Sequence, residues 1–84
     1  MQITFKLFAS LTGYLPPEAR YTNFITPEVA DDATVGQVVD SFSLPAKLVH
    51  LVLVNGAYVP PEQRATRRLN EGDVLAIWPP IAGG

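Results

Sequence analysis

The residues of this chain best placed for covalent chemistry are its last ones. Ile81-Ala82-Gly83-Gly84 follows an apolar run, Val74-Leu75-Ala76-Ile77-Trp78, and a Pro79-Pro80 pair. After Asp73 the only charge is the terminal carboxylate. Two glycines put no side chain beside that carboxylate, so a narrow active site on another protein can close around it. The prolines hold the exit extended, and Pro79 to Gly84 fully stretched reaches roughly 20 Å. A terminal carboxyl has a pKa near ~3.5 and is ionised and unreactive at neutral pH. It becomes an electrophile only when a leaving group is placed on it. The pattern therefore predicts an acid presented to a second protein for activation.

The rest of the chain offers no rival chemistry. Cysteine is absent, which excludes thiol catalysis, thiolate metal sites and disulfides. His50 stands alone and reads as a strand-edge residue, with no partners for a metal site. Asp31-Asp32 precedes a helix signal and reads as charge favourable to a helix N-terminus. Gly13, Gly36, Gly56 and Gly72 are isolated, so no phosphate-binding loop is spelled out. Neither a bound cofactor nor a metal is expected. Lys6, Arg20, Lys47, Arg64, Arg67 and Arg68 are too few, against a net charge of −2, to track nucleic acid phosphates. The three arginines at 64, 67 and 68 read as a solvated surface able to meet acidic residues of a partner. There is no charged leader with an apolar run, and no apolar stretch long enough to span a bilayer, so a cytoplasmic protein is expected.

Those terminal residues need a body to hold them, and 84 residues allow one domain. A chain of this size buries roughly 60–65% of its unfolded surface. Its 48% hydrophobic and 17% charged content favours folding over disorder. Ile3, Phe5 and Leu7 alternate with Thr4 and Lys6, which predicts a half-buried strand over residues 3–8. Phe8, Leu11 and Tyr14 lead into a loop punctuated by Gly13 and Pro16-Pro17. Tyr21–Ile25 reads as a strand whose alternation Asn23 interrupts. Thr34 and Gln37 form a capping box, with Ala33 and Val38 as a weak staple. Val35, Val38, Val39 and Phe42 make one helical stripe, ended by Leu44-Pro45. Gly36 in the first turn suggests close packing, against a sheet. Leu48–Val54 is apolar on both sides, as a central or partner-facing strand would be. Asn55-Gly56 predicts a tight hairpin returning through Ala57-Tyr58-Val59. Pro60-Pro61 breaks the pairing, Glu62–Leu69 is polar and basic with room for a turn of helix, and Asn70-Glu71-Gly72-Asp73 turns the chain into the last strand. No repeats are expected.

Strands disposed around one helix predict an α+β domain. The first and last strands are expected parallel at the centre of a mixed sheet of about five strands, with one main helix across one face. That is the ubiquitin-like β-grasp. On this reading residues 1–78 form the domain and 79–84 a flexible tail.

The ending Trp78-Pro79-Pro80-Ile81-Ala82-Gly83-Gly84 resembles that of the molybdopterin synthase small subunit, as does the turn and strand Leu69-Asn70-Glu71-Gly72-Asp73-Val74. Val54-Asn55-Gly56 is similar to a hairpin shared with the thiamine-pathway sulfur carrier, and Ala33-Thr34-Val35-Gly36 resembles the helix start of the same family. Pro16-Pro17-Glu18-Ala19-Arg20 and Pro60-Pro61-Glu62-Gln63-Arg64 have no counterpart in that pattern, and Trp78 stands where phenylalanine is more familiar. The resemblance implies a sulfur carrier, a co-substrate rather than an enzyme. An adenylating enzyme using ATP and Mg²⁺ would activate Gly84, and a persulfide donor would convert it to a thiocarboxylate. The loaded tail, Pro79, Pro80, Ile81, Ala82 and Gly83, would insert into the large subunit of molybdopterin synthase or another sulfur acceptor. A lysine-conjugated modifier, a carrier for thiamine or another pathway, and a plain interaction module are the alternatives. The partner surface is expected at Leu51, Leu53, Trp78 and the Arg64, Arg67 and Arg68 cations.

Overall fold

The alternating run at the start of the chain becomes β1, Thr4–Leu7, with Phe5 and Leu7 fully buried and Thr4 and Lys6 half-buried on the opposite face. The computed structural model describes residues 1–80. Beyond β1, Phe24–Ile25 forms β2, Val35–Ser41 the helix α1, Leu51–Val54 β3, Ala57–Tyr58 β4 and Val74–Trp78 β5. The strands make one sheet in the order β2-β1-β5-β3-β4. β1 and β5 run parallel at its centre and the other three pairs are antiparallel. With α1 across one face, this is the ubiquitin-like β-grasp expected of the sequence.

The core lies between that face and the helix. Val35, Val38 and Val39 of α1 are buried together with Phe5, Leu7, Val52, Val54, Leu75 and Ile77 from the three inner strands. Phe42, just past the helix, stacks on Phe5 with ring centroids 4.5 Å apart. Burying a side chain of this size contributes about 1.5–3 kcal/mol.

The helix starts where the capping box places it. Thr34 Oγ1 accepts from the Gln37 N–H at 3.2 Å, and Gln37 Oε1 accepts from the Thr34 N–H at 2.9 Å. The two remaining donors of the first turn find backbone partners: Val35 N–H donates to the Arg67 carbonyl at 2.9 Å and Gly36 N–H to that of Arg64 at 2.8 Å. This explains Gly36 differently from the expectation. A Cβ there would stand 3.3 Å from both Ala65 Cα and the Arg64 oxygen, so the close neighbour is the 64–65 backbone and not the sheet.

Other boundaries differ for local reasons. The helix ends at Ser41, before Leu44-Pro45, because Ser43 takes a positive φ of 58° and reverses the chain, with its N–H on the Asp40 carbonyl. β2 shrinks to two residues because Asn23 sits at φ 68°, donates from Nδ2 to the Leu7 carbonyl at 3.1 Å and leaves Tyr21 outside the ladder. Ala46–Leu48 is a 3-10 turn, so the strand expected from Leu48 begins at Leu51. Asp31 is not simply charge ahead of a helix: its carboxylate lies 2.8 Å from the Met1 ammonium.

The 55–56 hairpin forms with both residues at positive φ, 51° and 83°. Asn55 then ties it to the start of β5. Its Nδ2 donates to Asp73 Oδ1 at 2.9 Å, and its Oδ1 accepts from the Val74 N–H at 2.8 Å. Asp73, only 8% exposed, also accepts from the Asn70 N–H at 2.8 Å.

A repeat is present after all. Pro16-Pro17-Glu18-Ala19-Arg20 and Pro60-Pro61-Glu62-Gln63-Arg64 share the pattern Pro-Pro-Glu-x-Arg and fold alike. Each has an extended first proline, a 3-10 turn beginning at the second, and an arginine at φ −66° closing it. Each arginine folds back five residues: Arg20 Nε donates to the Leu15 carbonyl at 3.2 Å and Arg64 Nε to that of Val59 at 3.1 Å. Proline supplies the preset φ and arginine the closing donors.

Candidate functional site

β5 delivers the tail from the middle of the sheet, paired along both edges. Its last carbonyls are held as well, that of Ile77 by the Phe8 N–H at 3.2 Å and that of Trp78 by the His50 N–H at 3.1 Å. Pro79 is buried and Pro80 exposed. Ile81, Ala82, Gly83 and Gly84 lie outside the described residues.

Beside this exit is the face of the sheet that α1 does not cover. Strand register puts Phe24, Lys6, Ala76, Leu53 and Tyr58 in one row across all five strands. A second row, nearer the tail, holds Leu51 opposite Trp78, with the Phe8 ring stacked on the indole at 4.2 Å and 2° from parallel. Phe24 is 42% and Tyr58 56% exposed, and Leu51, Leu53 and Trp78 are half-buried. Five aromatic or leucine side chains left partly open beside one strand form an apolar patch of the kind that small domains keep for partners.

Three of the expected surface residues, Leu51, Leu53 and Trp78, are therefore neighbours on one face. Phe8, Phe24 and Tyr58 belong with them and were missed. Their signal was parity: each falls on the same side of its strand as Lys6, Leu53 or Trp78, which is readable only once the register is known.

The arginines do not act as one group. The sequence groups Arg64 with Arg67 and Arg68 as a surface cation, but its guanidinium is committed to its own backbone, donating to Val59, Val49 and His50 carbonyls at 3.1, 3.1 and 3.0 Å. It ties the turn after β4 to the approach to β3. Arg67 is half-buried, donates to the Arg68 carbonyl and offers its own carbonyl to α1. Arg68 is exposed. His50 is exposed at the foot of β3, as a strand-edge residue should be.

Among the described residues no three His, Asp or Glu side chains gather to hold a metal ion. Among them, too, no helix is long and apolar enough to cross a membrane. The hydrogen bond from the Met1 ammonium to Asp31 raises the pKa of the ammonium and lowers that of the Asp31 carboxyl. Both lie at the end of the sheet where β1 begins, away from the end where the parallel β5 releases the tail. What the site offers is presentation: a central strand with its end pinned, a Pro79-Pro80 pair directly after it and an apolar face alongside.

Comparison with known proteins gives the same architecture. The model of a family described as Mut7-C ubiquitin matches residues 1–82. The HVO 2177 protein of Haloferax volcanii, solved in solution, is 30% identical with a TM-score of 0.73, covering 100% of this chain and 87% of its own. SAMP1 of the same organism is 26% identical with a TM-score of 0.70, both chains covered in full. A complex of subunits 1 and 2 of the molybdopterin-converting factor from Helicobacter pylori contains a chain sharing the fold, 17% identical with a TM-score of 0.61 and full coverage of both. No curated protein matches the chain.

Proposed function

This chain belongs to the Mut7-C ubiquitin family, and on that premise we propose that it is a sulfur carrier whose Gly84 carboxylate is adenylated and converted to a thiocarboxylate. The observation that carries the reading is the run from the pinned end of β5 through Pro79-Pro80 into Ile81-Ala82-Gly83-Gly84, with the open apolar face beside it. In the first step a terminal carboxylate oxygen attacks the α-phosphate of ATP on the activating enzyme, with Mg²⁺, and pyrophosphate leaves. A persulfide sulfur of the donor then attacks the acyl carbon and AMP leaves. A thiol of the donor cleaves the resulting S–S bond, which leaves the sulfur on Gly84 and a disulfide on the donor. The chain supplies no catalytic side chain to these steps. It is a co-substrate whose body orients the tail, and it works in the cytoplasm.

The sulfur acceptor on this reading is the large subunit of molybdopterin synthase, which forms the dithiolene of the pterin. The Helicobacter pylori complex of two converting-factor subunits supports a partner of that class. A second reading has its own support. SAMP1 is a small archaeal modifier protein, and its likeness to this chain extends over the full length. Adenylation is then followed by attack of a lysine amine on the acyl carbon; AMP and a proton leave and an isopeptide bond forms.

The deciding experiment gives the purified chain to the host's adenylating enzyme with ATP, then adds the persulfide donor. Intact mass and fragmentation of the tail should show one terminal oxygen replaced by sulfur. Deleting Gly83-Gly84 should abolish ATP–pyrophosphate exchange and leave the urea unfolding midpoint unchanged. Exchange that persists in the tailless chain overturns the reading, and Gly84–lysine conjugates in place of thiocarboxylate select the modifier.

A further inference from the structure

Lys6 is the only ionised side chain in the apolar rows beside the tail. It stands between Phe24 of β2 and Ala76 of β5, in line with Leu53 and Tyr58. The next row, Phe8, Trp78 and Leu51, carries no charge, nor do Thr4 and Val74 on the other side of Lys6; the carboxylate of Glu28, one row beyond Thr4 and opposite Gln2, lies 3.6 Å from the Met1 ammonium. Among the described residues Lys6 makes neither an ion pair nor a side-chain hydrogen bond, and it is half-buried. Arg20 and Arg64, by contrast, are engaged by backbone carbonyls. A cation in mid-face does not help to close the sheet. Its stem lies along apolar neighbours while its ammonium stays in water.

We infer that Lys6 is the specificity contact of this face: it pairs with a single carboxylate set in an otherwise apolar surface of the activating enzyme. This rests on the carrier reading above. The charge pattern selects that chemistry. A wholly apolar partner would bury the Lys6 ammonium unpaired, which is costly, and a basic partner would repel it. One carboxylate opposite Lys6, ringed by Phe24, Leu53, Tyr58 and Trp78, gives a pair shielded from solvent once docked, and such pairs set partner choice and register.

The test is ATP–pyrophosphate exchange by the host's adenylating enzyme, with the chain as the varied substrate, at low and high salt. Lys6→Met keeps the apolar stem and removes the charge. It is expected to raise KM about fivefold at low salt, with kcat unchanged, and to flatten the salt dependence. Lys6→Glu should raise KM further, and Lys6→Arg should restore most of the wild-type value. Urea midpoints within error of wild type confirm that these variants fold. If Lys6→Met binds as well as or better than wild type at low salt, the face is read as bare apolar surface and the inference fails while the carrier reading stands. If the wild-type chain supports no exchange at all, the carrier reading falls and this inference with it.

Discussion

Arg64→Ala separates architecture from recognition, and its cost can be worked out from the three carbonyls that Arg64 holds. Two of the bonds, to Val59 and Val49, are partly buried, and the third, to His50, is exposed. A hydrogen bond from a charged donor is worth about 1.5–3 kcal/mol, less where water competes. Taking the low end for the two partly buried bonds and nothing for the exposed one gives about 3 kcal/mol. Releasing the immobilised side chain returns about 1 kcal/mol of conformational entropy. The net expectation is a loss of about 2 kcal/mol, or about 10 °C in Tm for a domain of this size. Urea unfolding followed by circular dichroism would read it as a lowered midpoint at constant slope. Arg20→Ala removes one partly buried bond and one exposed bond from the sister turn, and the same reckoning leaves a loss of about 0.5 kcal/mol. Arg68→Ala, at an exposed position, should stay within about 0.5 kcal/mol of wild type. If Arg64→Ala is no more destabilising than Arg68→Ala, the claim that Arg64 braces the turn is wrong. Below its melting range, Arg64→Ala should still be adenylated at the wild-type rate.

Two other perturbations probe the same framework. Gly36→Ala sets a helix-propensity gain of up to about 1 kcal/mol against a Cβ 3.3 Å from two backbone atoms of the 64–65 segment. Neither atom is a flexible side-chain end, and the same Arg64 oxygen accepts from Gly36 N–H, so a net loss of about 1 kcal/mol is expected in urea unfolding, and a stabilised variant would refute the packing account. The Met1–Asp31 contact makes stability depend on pH at both extremes. The Asp31 pKa is depressed, so its contribution is present above the ordinary carboxyl value of 3.8 and fades as pH falls through the lower folded value. The α-amino pKa is raised, so its contribution is complete below the ordinary 8.0 and fades as pH rises through the higher folded value. Asp31→Asn should flatten both slopes of a midpoint-against-pH curve, and unchanged slopes would place the pH dependence elsewhere.

What could be read from the sequence was what local chemistry determines. The Thr34–Gln37 box fixes where α1 begins because both partners lie within one turn. The Asn55-Gly56 pair fixes a hairpin because few residues tolerate positive φ. The alternation Ile3-Phe5-Leu7 fixes which side of β1 is buried. Parallel pairing of β1 with β5 followed from the one helix that must lie in their connection. What escaped was set by contacts distant in sequence. Nothing adjacent to Gly36 announces the 64–65 backbone, and nothing adjacent to Arg64 announces Val49. Asn23 and Ser43 ended their elements through positive φ, which either residue can adopt but neither demands.

The open face follows the same division and shows why the candidate site was half legible. Leu51 and Leu53 stood out because β3 is apolar on both sides, an excess visible in one strand. Phe24 and Tyr58 lie on two-residue edge strands too short to display a period, and Phe8 follows the last residue of β1, where alternation has ended. They join the patch only through the register that ties Phe24 to Lys6 and Tyr58 to Leu53, and through the ring stack of Phe8 on Trp78. A surface assembled across five strands is a property of pairing, and pairing is decided by the core on the opposite face. The residues that bury Phe5, Val52 and Ile77 therefore also place Lys6 and Leu53 in one row. A one-residue slip of β1 against β5 would send Lys6 into the core and dissolve the row, which ties the identity of the docking face to the stability of the fold.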